Sequence, residues 1–112
     1  MPDKYSREDY LDTQRKRVVE IASNILEKKL DIIEGTRLLL PVGHEIPELN
    51  NNPDFLTLIG IDSETDHLPI GKTRKLWAQA ALDKADLEIN AAEKSYAENA
   101  FASCRQLIKL FT

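Results

Sequence analysis

Residues that bend, stiffen or cross-link a chain are scarce in this sequence. A single cysteine, Cys104, excludes an internal disulfide framework. Four glycines, five prolines and an aromatic content of 6% favour helices over a strand-rich sandwich. A chain of 112 residues fits one domain, so we predict a single helical domain over residues 1–112.

Long apolar runs are also missing. The longest, residues 38–40 and 55–61, are far shorter than the roughly 20 apolar residues that cross a bilayer. The first six residues lack the apolar core of a secretory signal. We therefore expect a cytoplasmic protein with no membrane partner. A composition of 42% hydrophobic and 30% charged residues allows both a buried core and a hydrated surface.

Basic residues are absent from a long central segment. No Lys or Arg occurs between Leu38 and Gly71, although the chain contains 15 of them in total. The same segment contains six acids: Glu45, Glu48, Asp54, Asp62, Glu64 and Asp66. The negative field of these acids disfavours a phosphate backbone and suits a basic protein surface or a cation. We predict a basic protein as partner and no nucleic acid.

Apolar periodicity predicts two helices in the first part of the chain. The first spans about 7–29, with Ser6 as N-cap and acids in its first turn. The second restarts at Asp31, where Asp31 and Glu34 have the spacing of a capping box. Pro41 and Gly43 are expected to stop it. Two separate helices and one kinked rod both fit this pattern.

A third helix is predicted from about residue 79 to 111, where neither Gly nor Pro occurs and Ala is abundant. Its apolar positions follow a near-heptad seam: Leu82, Ala85, Ile89, Ala92, Tyr96, Ala100, Ser103, Leu107 and Leu110. At 1.5 Å per residue this helix is roughly 50 Å long. We expect the first helix to pack antiparallel against it, in a small all-α bundle with an irregular acidic middle segment.

The run from Phe55 to Ile61 fits either a short helix or a buried strand. Pro53 is suited to a helix start, and no second strand is available for pairing. Helix is therefore the preferred interpretation.

Acids alternate with other residues at the end of the central segment. Asp62, Glu64 and Asp66, followed by His67, could collect a divalent metal if they lay on a loop. An EF-hand starting at Asp62 would need Gly and Glu where His67 and Thr73 occur, so that motif is excluded. The preferred interpretation is a solvated turn in which Asp66 caps backbone amides. We predict no metal and no cofactor.

Three further side chains have a structural and a functional interpretation. Arg37 lies in an apolar helix and needs a carboxylate, either Glu34 or, across the fold, Asp62 or Glu64. Trp77 precedes the long helix and is expected to plug the core at the bend, although it could stack on a ligand. Cys104 is expected to be a packing residue, because a helix C-terminus raises the pKa of a thiol.

Motifs of catalysis are missing: the chain has no phosphate-binding Gly-rich loop, Cys-x-x-Cys pair, nucleophile elbow or His-Glu-x-x-His helix. We therefore predict no catalytic residues and a protein that is not an enzyme.

Residues 61–69, with 33–37 before them and 75–77 after them, resemble a family of short bacterial proteins of uncharacterised function. The resemblance covers about 30–111. In size and acidity the chain is also similar to bacterial immunity proteins, including those of contact-dependent inhibition systems. That similarity implies a partner toxin and no catalytic residues.

Two functional hypotheses follow. The first is a non-catalytic binding module that masks a basic partner. Its predicted partner-binding residues are Glu45, Glu48, Asp62, Glu64 and Asp66. The second is a ligand- or metal-dependent domain, perhaps an enzyme, that uses a different set. That set is Arg37, Asp62, Glu64, Asp66 and His67. A third interpretation is purely structural: the acidic segment shapes a helix junction and has no binding role.

Overall fold

The computed structural model describes residues 6–112, and these form helices joined by turns. The helices are α1 (Arg7–Leu26), α2 (Ile32–Gly43), α3 (Pro53–Thr65) and α4 (Gln79–Phe111), with 3₁₀ turns at Pro47–Leu49 and Gly71–Leu76. No strand occurs within residues 6–112. The predicted all-α class and the long C-terminal helix are confirmed.

Helix α1 begins as the sequence predicts and ends three residues earlier. The Ser6 side chain accepts a hydrogen bond from the backbone N–H of Asp9, and the Asp9 side chain accepts one from the backbone N–H of Ser6. The helix ends before Lys28, whose φ of 61° lies in the left-handed region. Because this residue reverses the chain, α1 and α2 are separate helices rather than one kinked rod.

The predicted capping box at the start of α2 is wrong. Asp31 is the N-cap residue, but its side chain makes no capping hydrogen bond. The carboxylate of Glu93, from the middle of α4, accepts hydrogen bonds from the backbone N–H groups of Ile32 and Ile33, both at 2.8 Å. A residue 60 positions away in the sequence therefore caps α2.

Pro41 and Gly43 are expected to stop α2; the helix does end at Gly43, although it continues through Pro41. In the last turn a proline removes one helical hydrogen bond, which the chain tolerates here. Gly43 does not adopt a left-handed conformation. A larger residue would not fit at this position, because a Cβ atom there would lie 2.2 Å from Cε1 of Phe55 in α3. Glycine at this position allows α3 to pack closely on α2.

Helix α3 confirms the preferred interpretation of the ambiguous run. Asn52 caps it by accepting hydrogen bonds from the N–H groups of Asp54 and Phe55 at 2.9 and 3.0 Å. Its start lies beside the end of α2, where the rings of His44 and Phe55 meet edge-on at 5.1 Å. Its end lies beside Arg37, in the middle of α2. The two helices therefore run antiparallel.

Helix α4 has the predicted bounds and packs antiparallel to α1. Phe111 lies beside Arg15 and Val19, and Phe101 lies beside Ile25. The shared core draws on all four helices, and its fully buried members include Val18, Ile25, Leu39, Leu58, Ala100 and Leu107.

The last position of the predicted α4 seam is wrong, since Leu110 is 48% exposed. Cys104, which the seam did not include, is fully buried and packs in the core, as expected of a packing residue. Burial raises the pKa of its thiol to about 11. Within residues 6–112, no helix combines the length and hydropathy that a membrane span requires.

Candidate functional site

A cleft of about 560 Å³ separates the exposed sides of α2 and α3. One wall comes from α2 and the other from the C-terminal end of α3. The lining residues are Arg37, Leu40, Pro41, His44, Asp62 and Asp66. Three of these, Arg37, Asp62 and Asp66, are among the sequence-predicted site residues. The antiparallel packing of two helices therefore brings together residues that are up to 29 positions apart in the sequence.

Arg37 crosses the cleft to the end of α3. Its Nη2 donates a hydrogen bond to the backbone carbonyl of Thr65, and its Nε lies 3.9 Å from Oδ1 of Asp62. The Arg37 side chain thereby adds a second hydrogen bond to this carbonyl, which also accepts one from the backbone N–H of Leu68 at 3.0 Å. Of the pairings predicted for Arg37, the one across the fold with Asp62 is confirmed. No ion pair joins Arg37 to Glu34 or Glu64.

The alternating acids lie on a helix rather than on the predicted solvated turn. Residues 62–65 belong to α3, and Asp66 is its C-cap residue. Residues four apart share one helix face, so Asp62 and Asp66 both line the cleft. Glu64, two residues from each, points about 200° away around the helix. The interpretation of Asp66 as a cap of backbone amides is wrong, because a helix C-terminus presents carbonyls.

The end of α3 is unusually negative. Three carboxylates stand on its last turn and C-cap, where the helix dipole is itself negative, and no basic residue occupies that last turn. Glu64 and Asp66 are exposed and form no ion pair with any residue from 6 to 112. Only Asp62 has a cation nearby, the Arg37 guanidinium at 3.9 Å. The field at this end of α3 is therefore largely uncompensated.

Glu45 and Glu48, the other two predicted partner-binding acids, bind α1. Glu45 accepts hydrogen bonds from the Tyr10 hydroxyl and from Gln14 Nε2, both at 2.6 Å. Oε2 of Glu48 lies 2.8 Å from Nε of Arg15, and this guanidinium holds the pKa of the Glu48 carboxyl below its usual value. The two carboxylates thus attach the 3₁₀ turn Pro47–Leu49 and the residues just before it to α1.

His67 and Trp77 lie on another part of the surface. His67 Nε2 lies 2.5 Å from Glu88 Oε2 on α4, with both side chains more than half exposed. Trp77 is 41% exposed and lines a pocket of about 190 Å³ beside this pair. The prediction that Trp77 plugs the core is wrong. The preceding 3₁₀ turn has no buried residue and is held to α4 by Arg74 and Asp86, at 2.8 Å.

The five residues of the ligand or metal hypothesis are consequently divided among three places. Arg37, Asp62 and Asp66 line the cleft, Glu64 points away from it, and His67 binds Glu88. In the described part of the chain, no group of three or more His, Cys, Asp or Glu side chains has an arrangement that could hold a metal ion.

His44, Leu40 and Pro41 belong to the cleft, but the sequence analysis did not assign them to a site. Leu40 continues the apolar face of α2, and Pro41 is expected to help end the helix; only the packing of α2 on α3 places these residues and His44 opposite Asp62 and Asp66. The approach of His44 to Phe55 depends on the close packing at Gly43. No pattern in the neighbouring sequence could have identified this contact between His44 and Phe55.

Comparison of this chain with family models, with curated proteins and with solved structures yielded no match in any of the three.

Proposed function

We propose that this protein is a non-catalytic binding module that associates with a basic protein through the C-terminal end of α3. The observation that carries this proposal is the net negative charge there, where Arg37 lies beside Asp62 but Glu64 and Asp66 form no ion pair with any residue from 6 to 112. Asp62, Glu64 and Asp66 stand at the negative end of the helix dipole, with no basic residue in the last turn. Complementary charge of this kind accelerates the encounter of two proteins.

The position of these acids is unfavourable for the helix itself. A carboxylate at a helix C-terminus opposes the dipole by about 0.3–1 kcal/mol, whereas a cation there would stabilise the helix. Departures from a local stabilising rule are typical of positions that serve function. Glu64 is the clearest case, because it is exposed and forms no ion pair that would offset its cost.

The partner that suits this surface best is a basic toxin, and the protein would then be a bacterial immunity or antitoxin-like protein. The absence of Lys and Arg between Leu38 and Gly71 supports this choice, because it leaves this segment with a net negative charge that attracts a basic surface. A cytoplasmic location is part of the proposal. It is supported by the single cysteine, which is free and buried.

The test is the association rate with a co-purified basic partner. Glu64→Lys and Asp66→Lys should each slow association several-fold at low salt, and the difference should shrink as ionic strength rises, since the screening length is about 8 Å near 0.15 M. Glu20→Lys is the matched control: it makes the same charge change on the exposed face of α1. Association rates that are unchanged in both α3 variants, or equally slowed in all three, would contradict the proposal.

A further inference from the structure

The cleft between α2 and α3 combines an apolar wall with an acidic edge. Leu40 and Pro41 stand on the α2 side, and the carboxylates of Asp62 and Asp66 stand one helical turn apart on the α3 side. Such a lining suits a side chain that is apolar along its length and cationic at its tip.

The charge balance of the cleft favours a cation despite the presence of Arg37. The Arg37 guanidinium is engaged by the Thr65 carbonyl and, more distantly, by Asp62. Asp66 has no cationic partner among residues 6–112. The negative end of the α3 dipole adds to its charge. Arg37 also shows that this helix end accepts a guanidinium, because its own side chain donates to an α3 carbonyl there.

Arginine matches these groups better than lysine does. Its planar guanidinium can donate two parallel hydrogen bonds to one carboxylate and can stack on a ring such as that of His44. Its methylene stem can cover the exposed ring of Pro41 and the small accessible part of Leu40. Arginine is also enriched among the residues that dominate protein–protein affinity, whereas lysine is depleted at interfaces.

We propose that the α2–α3 cleft binds an arginine side chain of the partner. This inference rests on the proposed function, because it names the residue by which a basic protein is anchored. The exposed acid Glu64 lies outside the cleft and contributes only to the long-range field.

The experiment uses short peptides as probes and the full chain as receptor. Acetyl-Gly-Arg-Gly-amide is titrated into the ¹⁵N-labelled protein, and the lysine peptide is titrated in parallel. We expect saturable amide shifts in residues 37–44 and 61–66, with tighter binding of the arginine peptide. Asp66→Asn should weaken its binding by about tenfold, because a charge-assisted hydrogen bond is lost.

Glu20→Gln is the matched control, since it removes the same charge at an exposed position of α1, away from the cleft. The affinity of this variant for the arginine peptide should stay within about twofold of that of the parent protein, because the bidentate contact inside the cleft is unchanged. Equal binding of the two peptides, an equal loss in the two variants, or the absence of saturable shifts would overturn the inference. Thermal melts of both variants, which change exposed side chains, verify that the fold is intact.

The two proposals fail in different ways. If the arginine peptide does not bind while Glu64→Lys still slows association with the basic partner, the cleft inference is wrong, whereas the proposal that a basic protein binds the end of α3 is supported. If the peptide binds in the cleft while the charge reversals leave protein association unchanged, the proposed function is wrong.

Discussion

Removal of the Glu93 carboxylate should destabilise the fold from a distance. Its two oxygens each accept a hydrogen bond from the first turn of α2, from Ile32 N and Ile33 N at 2.8 Å. These are N–H groups that a helix cannot satisfy internally, and the Asp31 side chain does not cap them. Glu93 therefore joins α4 to α2 and supplies the anion that the α2 dipole favours.

The expected magnitude follows from these contacts. Loss of an N-cap costs about 0.5–2 kcal/mol, and a charge at a helix N-terminus contributes about 0.3–1 kcal/mol. Glu93→Ala should therefore lower the free energy of unfolding by about 2 kcal/mol, a large share of the roughly 5–15 kcal/mol typical of a small domain. Glu93→Gln keeps one acceptor oxygen and should lower it by about 1 kcal/mol.

Urea denaturation followed by circular dichroism measures these differences. Glu98→Ala is the control, because Glu98 is exposed on the same helix. Hydrogen exchange gives a local readout: the amides of Ile32 and Ile33 should exchange faster in Glu93→Ala than in the parent. A free energy of unfolding for Glu93→Ala within about 0.5 kcal/mol of that for Glu98→Ala would refute the reasoning, since surface substitutions without contacts fall in that range.

Three other predictions concern packing, pH and reactivity. Gly43→Ala should lower the melting temperature, because its Cβ would lie 2.2 Å from an aromatic carbon of α3. Gly60→Ala should raise the melting temperature, with a gain in stability of about 0.5–1 kcal/mol, because its Cβ would meet no atom within 4 Å apart from the neighbouring backbone of its own helix. Equal shifts in the two variants would contradict this. Arg15 lowers the pKa of Glu48, so the ion pair contributes to stability above pH 4.5, and this contribution is lost as the pH falls through the lower folded-state pKa. Glu48→Gln should therefore make the free energy of unfolding fall less steeply with decreasing pH in the acid range. A fall as steep as that of the parent protein would count against the pairing. Cys104, buried and with its thiol pKa raised to about 11, should resist maleimide at pH 7.5 until the chain is unfolded, and rapid labelling of the native protein would show that the site opens.

Elements governed by neighbouring residues could be predicted from the sequence. Ser6 and Asp9 form a local capping pair, and the start of α3 after Asn52 depends on contacts within three residues. The bounds of α4 follow from an uninterrupted run of helix-forming residues. The negative character of residues 38–71 is a matter of composition, so it too was available from the sequence. At the two capped helix starts the deciding interaction lies within one helical turn, and the other two features follow from the residue types present in a segment.

Tertiary structure decided everything that depends on distant partners. Gly43 has the sequence features of a helix stop, but its role is to admit Phe55. The capping residue of α2 is Glu93, because α4 passes beside that helix end. Of the five predicted partner-binding acids, two bind α1 and two line a cleft, a division that no spacing rule contains. The sequence alone therefore determined the helices and the sign of the charge, whereas the packing of α2 on α3 determined where that charge remains free, because helix packing brings together residues that are remote in the chain.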